Sequence, residues 1–453
     1  MRKIVASVGL VAIGVSGIRA GFAQEIGADT SKPWSVAASF RGFYDDNPGT
    51  VPDNGAAGQK PEGSWGFEIS PSVAFAWTME QTTISAGYLY SLRYYETKPP
   101  GSADHDDQTH TFNVALSHAF SERFSGRVAD SFVIGQEPDT LRAGNTFATF
   151  SRLSGDNIRN YGSIGFDGQL TPEVGVSVGY DNAYYDYEAN TPAKTQLGFL
   201  TEVLPSIAGT LNRIENSAHV EGLYRLQPQT RVLAGYRYHD IDYNGDEFIS
   251  GTLINPLGPV SSGNIVPGTG VRSDDRNDRE HTLYVGAMQS FSPDLSGSLR
   301  IGGSYVDYYN SSESGSTWSP YVDLSMRWTY MPESYIEGGF SYDRSASDVV
   351  QQFGVANGQF TQDAEAATVY ASVNHRITPK LYASVNGQFQ NSAYNGGVAD
   401  GQDERYYLVG LNLEYRFTRN FSADVGYNYD KLDSDLGRTY DRNRVYFGIT
   451  ARY

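Results

Sequence analysis

The chain has 453 residues, no Cys, and 52 acidic against 34 basic side chains, a formal charge of −18. The lack of Cys excludes a disulfide scaffold and thiolate metal or iron–sulfur centres, and the acid excess excludes the basic footprint that nucleic acid requires. Charged residues make up only 19% while Gly and Tyr are abundant, a composition closer to a large sheet protein than to an ordinary soluble domain.

The N-terminus reads as an address. Arg2 and Lys3 precede an apolar run from Ile4 to Gly17, and Gly21 and Ala23 suit a cleavage before Gln24. Residues 1–23 are therefore expected to be a signal peptide, 24–33 a short periplasmic segment and 34–453 the mature domain. No stretch offers 18 consecutive apolar residues, so no helical membrane span is visible in the sequence.

Beyond the leader the period is two. Trp65, Phe67, Ile69, Val73, Phe75 and Trp77 alternate with small or polar residues, and Tyr407, Val409, Leu411, Leu413, Tyr415 and Phe417 do the same near the end. Tight connectors such as Leu170-Thr171-Pro172-Glu173, Phe291-Ser292-Pro293-Asp294 and Ile377-Thr378-Pro379-Lys380 break the pattern, because Pro cannot donate within a ladder. Between them lie longer polar loops at 45–63, 96–107, 136–157, 188–213, 244–278, 310–316, 346–364, 393–403 and 431–441. Together these punctuate about 18 strands: 34–44, 64–77, 82–95, 108–120, 124–135, 158–170, 174–187, 214–226, 230–243, 279–291, 295–309, 317–330, 334–345, 365–377, 381–392, 404–417, 421–430 and 442–453.

Aromatics gather at strand ends. On the short-turn side stand Trp77, Phe120, Phe124, Phe291, Trp328, Tyr335, Tyr382 and Phe417; on the long-loop side stand Phe43, Tyr44, Trp65, Tyr184, Tyr185, Tyr308 and Trp318. A soluble sandwich would hold its aromatics mid-strand, and a propeller would repeat in four-stranded blades. Two girdles around an aliphatic band instead predict an all-β fold: a transmembrane, antiparallel, up-and-down β-barrel with short periplasmic turns and long extracellular loops. Such a barrel belongs in the outer membrane of a Gram-negative bacterium, against lipid and lipopolysaccharide. The last strand ends Val445, Phe447, Ile449, Ala451, Tyr453 at every second place, which resembles the C-terminal signal that the barrel assembly machinery recognises.

The opening strand closes in Tyr44-Asp45-Asp46-Asn47-Pro48. This aromatic–Asp-Asn step resembles the start of the putative β-barrel porin-2 family. The resemblance implies an outer-membrane barrel, in some cases associated with exopolysaccharide systems, with no catalytic residues to carry over.

Alternation also assigns the lumen face. Its candidate pore-lining residues are Arg127, Arg225, Arg237, Arg300, Arg327, Arg416, Glu68, Glu221, Asp323 and Glu414. These predict either a polar pore with a transverse field or a set of ion pairs that stiffen the wall. Loops 141–153, 197–208 and 252–267 are unusually apolar, so they are expected to fold into the mouth, to pack on one another as a lid, or to extend strands beyond the membrane. Acid clusters such as Asp104 to Asp107 lack EF-hand spacing and read as solvated loop charge. Gly175-Val-Ser177-Val-Gly179 matches a nucleophile elbow by letters only, since Ser177 sits among strand residues rather than on a strand–turn–helix. No enzyme activity, cofactor or metal is expected. The functional expectation is a channel for passive diffusion of small hydrophilic solutes, saccharides among them; the alternative is a non-conducting structural or accessory barrel of an exopolysaccharide export system.

Overall fold

The computed structural model describes residues 32–54, 60–99, 104–135, 146–147, 156–197, 199–244, 246–311, 315–349 and 360–453. The expected leader, most of the 24–33 segment, and Leu141, Phe150 and Leu153 lie outside the described residues.

Eighteen antiparallel strands form one closed sheet. They are β1 (Trp34–Asp45), β2 (Ser64–Thr78), β3 (Thr82–Tyr95), β4 (Asp106–Ala119), β5 (Phe124–Gly135), β6 (Asn157–Gln169), β7 (Val174–Tyr187), β8 (Arg213–Gln227) and β9 (Thr230–Asp242) in the first half. The second half comprises β10 (Asp278–Ser292), β11 (Leu295–Asp307), β12 (Ser316–Met331), β13 (Ser334–Ser345), β14 (Asp363–Arg376), β15 (Leu381–Asn395), β16 (Asp403–Arg416), β17 (Phe421–Ser434) and β18 (Tyr440–Arg452). Each strand pairs with its sequence neighbours, and β1 pairs with β18 from Ala37↔Arg452 to Asp45↔Arg444, which closes the barrel. Closure leaves no edge, so every ladder group can be satisfied without water. Pro at the short turns explains why the sequence places boundaries well there. The looser ends lie on the long-loop side, where β17 runs on to Ser434 and β15 to Asn395.

Successive residues face opposite sides, and the outward set is apolar and exposed: Phe40, Ile69, Val128, Ile164, Val285, Ile301, Val409, Leu411, Val425 and Phe447. A soluble protein does not present such a belt; a lipid-embedded one must. Trp77, Phe120, Phe291 and Trp328 rim it at the short turns, and Trp65, Tyr94, Trp318 and Tyr407 rim it at the other end. The barrel therefore sits in the bacterial outer membrane.

Five residues expected in the girdles point inward instead. Phe43 is buried with its ring edge-on to Tyr95. Tyr185 lies under the Arg213 guanidinium, Tyr335 under that of Arg327, and Tyr382 under that of Arg416. Tyr308 is buried against Asp363 and Arg344. The physical reason is the period itself: Phe43 and Tyr44, Tyr184 and Tyr185, or Tyr308 and Tyr309 cannot share a face. A charged residue stands within the outer belt. Asp130 stands mid-strand among outward Val128 and Phe132, and accepts from Asn160 Nδ2 at 3.1 and 3.2 Å.

Candidate functional site: the charged lumen

All ten candidate pore-lining residues lie on the inward parity of their strands, but they fall into three environments. The first is a buried lattice on the arc β8–β13. Arg300 on β11 reaches Glu221 on β8, Nε to Oε1 at 2.8 Å, and Asp323 on β12 at 3.3 Å. Tyr284 on β10 donates its hydroxyl to the same Glu221 oxygen at 3.0 Å. Arg237 on β9 holds Asp343 of β13 at 2.8 and 2.9 Å and Glu280 of β10 at 2.8 Å. Only 1% of Arg300 and 6% of Arg237 is exposed. Glycine makes this layer thin enough. A Cβ on Gly235 would meet the Tyr284 ring at 2.5 Å, so only Gly lets that ring lie flat across β9 toward Glu221. Arg237 and Arg300 thus tie strands together; of the two roles left open for them, this burial fits the ion pairs that stiffen the wall and not an open polar pore.

The second environment is the periplasmic half. Arg127 pairs with Asp167 at 2.9 Å, Arg327 with Glu337 at 3.0 Å, and Arg416 with Glu414 at 3.0 Å. Arg452 is a second partner of Glu414, at 3.2 Å. In these pairs the guanidinium is the more exposed member: 38% for Arg327 against 9% for Glu337, and 43% for Arg416 against 16% for Glu414. Arg225 and Arg231 face each other in register across β8 and β9, both exposed. Among the described residues, neither makes an ion pair.

Glu68 belongs to a third group, at the closure seam. It holds Arg93 at 3.1 Å and Arg41 at 3.9 Å, and Arg41 also reaches Asp424 of β17 at 3.2 Å. Just above, fully buried Asp45 of β1 takes Arg442 and Arg444 of β18 at 2.6 and 3.4 Å. Asp46 accepts from the Asn443 backbone N–H at 2.6 Å, and Asn47 donates to the Asp441 carbonyl at 3.1 Å. The Asp45-Asp46-Asn47 step is therefore a latch that joins the first strand to the last.

Loop 136–156, between β5 and β6, holds the stretch 141–153, expected to fold into the mouth, join a lid or extend strands; what sequence reasoning missed is which strands it meets. Its described pair, Thr146 and Phe147, lies against the opposite wall of the barrel. The Phe147 N–H donates to Gln390 Oε1 at 2.8 Å and Gln390 Nε2 donates back to the Phe147 carbonyl at 2.8 Å, both on β15. Thr146 and Thr368 hydroxyls are 3.3 Å apart, and the Phe147 ring packs edge-on to Tyr406 of β16. These partners stand nine to eleven strands on from β5, so Thr146 and Phe147 sit against inward-facing residues of β14 to β16, far round the wall from β5. Inward Gln and Thr at the same height on β14 and β15 were the signal available, but nothing local pairs them with a loop 222 residues or more away.

Loops 188–213 and 244–278 pack on each other. Val203, Leu253 and Ile265 form one small core with Phe248 and Val260, and Ile249, Val271 and Phe360 form another. Fully buried Arg276 donates to the Thr210 carbonyl at 2.9 Å and the Ser347 carbonyl at 2.6 Å, pinning three loops. Burial pushes its guanidinium below the usual arginine range, and the Tyr243 ring 4.2 Å away counters this. Ser177 lies mid-strand, buried, and donates to Asp167 at 2.7 Å, an arrangement unlike a nucleophile elbow.

Residues 269–453 match a family model described as Putative beta-barrel porin 2. No curated protein matches the chain. Among solved structures, it is similar to OccAB4 of Acinetobacter baumannii, with 10% identity, TM-score 0.42, and 93% of this chain and 99% of that chain covered. It is also similar to the outer membrane protein OpdK of Pseudomonas aeruginosa, with 10% identity, TM-score 0.44 and the same coverage. The siderophore receptor PirA of A. baumannii matches at 9% identity and TM-score 0.40, over 92% of this chain and 80% of that chain. This protein is an 18-stranded outer-membrane β-barrel whose segment 269–453 matches the porin-2 family model.

Proposed function

We propose that the barrel is a passive channel for small hydrophilic solutes, saccharides among them. The observation that supports this most directly is the arm at Thr146-Phe147. A wall of 18 strands encloses a lumen wide enough for water, and Thr146-Phe147, held on the inner face of β14 to β16, takes up part of that lumen. The charged inner wall keeps the passage wet, because unpaired guanidinium groups require water. No catalytic residue is assigned. Refolded protein in a planar bilayer should give discrete openings, and a Phe147→Gly/Gln390→Ala variant should give larger ones. A folded but silent barrel would overturn this reading.

The packed loops favour a second reading, a non-conducting barrel that docks an export assembly. Arg276 pins residues 210 and 347 from two other loops and so makes a rigid outer surface. Cutting that tie with Arg276→Ala should leave conductance unchanged if the loops are a docking surface, and raise it if they cover the pore.

A further inference from the structure

We infer that the periplasmic half of the lumen is an anion-selective site, fitted to small carboxylates, although the chain as a whole is strongly acidic. The inference rests on the channel reading and names the solute class that such a channel would favour. It starts from which member of each ion pair meets water. At Arg327–Glu337 and Arg416–Glu414 the carboxylate is sunk against the wall and the guanidinium edge faces the lumen. Glu414 is shared by Arg416 and Arg452, so one carboxylate is set against two cations. Among the described residues, Arg225 and Arg231 make no ion pair, and they stand directly opposite one another.

Like charges placed across a strand pair repel and cost stability. Stability alone therefore gives no reason for two exposed guanidinium groups in register; a passing or bound anion does. The planar fork of each guanidinium matches a carboxylate bidentately, and two forks on adjacent strands can hold both oxygens. A low-dielectric wall focuses such a field into the passage and raises the local concentration of the opposite ion. Glu173 flanks Arg225, whose backbone N–H donates to its carbonyl at 2.7 Å, but the Glu173 carboxylate accepts from Thr171 in the turn rather than pairing with the guanidinium. Glu122, Glu173 and Asp294 are exposed on turns at the rim, where bulk ions screen them.

The test is the reversal potential of the full-length channel in a KCl gradient, followed by sodium succinate added to the periplasmic side. The channel should prefer chloride to potassium several-fold, and succinate should block chloride current in proportion to its concentration. In Arg225→Gln/Arg231→Gln the preference should fall and the block should weaken by an order of magnitude, while Arg225→Lys/Arg231→Lys keeps the preference and loses part of the block. Unaltered mobility of the folded species on unheated gels shows that the variants are intact. A conducting channel with no anion preference, or a preference and block untouched by the Gln pair, overturns the inference alone. A silent wild-type barrel overturns both the inference and the channel reading.

Discussion

Arg300 on β11 and Arg225 on β8 hang from the same inner wall, three strands apart, yet their surroundings have little in common. Arg300 is enclosed by Glu221, Asp323 and the Tyr284 hydroxyl-bearing ring, and is 1% exposed. Arg225 faces Arg231 and water. Alternation puts both inside the barrel; depth in the wall then decides what each can do. A buried guanidinium is fixed by its partners and contributes a tie between strands. An exposed one keeps its field available to whatever passes.

Substitutions should separate the two classes, most strongly in the buried one. Arg300→Leu leaves Glu221 as an uncompensated buried charge and should cost about 3–5 kcal/mol in urea unfolding of the refolded barrel. Glu221→Leu/Arg300→Leu should recover most of that loss, because an apolar pair of similar volume is often as stable. If the double variant is as unstable as the single, the tie is not a discrete pair. Asp45→Asn strands Arg442 and Arg444 at the seam and should cost roughly 3 kcal/mol by the same argument, read as earlier loss of the compact gel species. On the lipid side, Leu411→Arg should cost about 2–4 kcal/mol if Leu411 lies near the bilayer midplane. Asn412→Arg, one step along and inside, should cost much less, and equal losses would break the assigned register. Smallest of all, Arg225→Gln should change stability by less than about 0.5 kcal/mol, as for exposed substitutions generally.

Much of this was legible in the sequence because a strand's period is an integer. Once Val409, Leu411 and Leu413 face lipid, Glu414 and Arg416 must face inward, and the ten lumen candidates follow from the same parity. The girdle assignment failed where aromatics stood side by side, as at Phe43-Tyr44, and at Tyr335 and Tyr382, which lie on the inward parity, since an aromatic fits either the girdle or the lumen. The ion pairs were less accessible. Glu221 and Arg300 meet across two intervening strands, over a ring that Gly235 leaves room for, and neither the curvature nor the clearance is written locally. Least legible was the arm at Phe147, whose partner Gln390 is 243 residues away. A hydrogen bond between a loop backbone and a distant side chain has no periodic signature. The Asp45-Asp46-Asn47 step lies between these cases: its residues were conspicuous, and its role as a latch required β18 to be in place.

The distinction between buried ties and water-facing cations can be measured without background, because the natural chain has no Cys. Single variants Arg225→Cys and Arg416→Cys would be compared with Ser304→Cys, whose native side chain is fully buried on the inward face of β11 beside Thr282 at 2.9 Å. Each would be exposed to a membrane-impermeant, negatively charged thiol reagent while single-channel current is recorded. The account predicts rapid modification at positions 225 and 416, with a stepwise fall in chloride current, and protection at 304. Equal rates at all three positions, or modification at 225 and 416 that leaves the current unchanged, would contradict it.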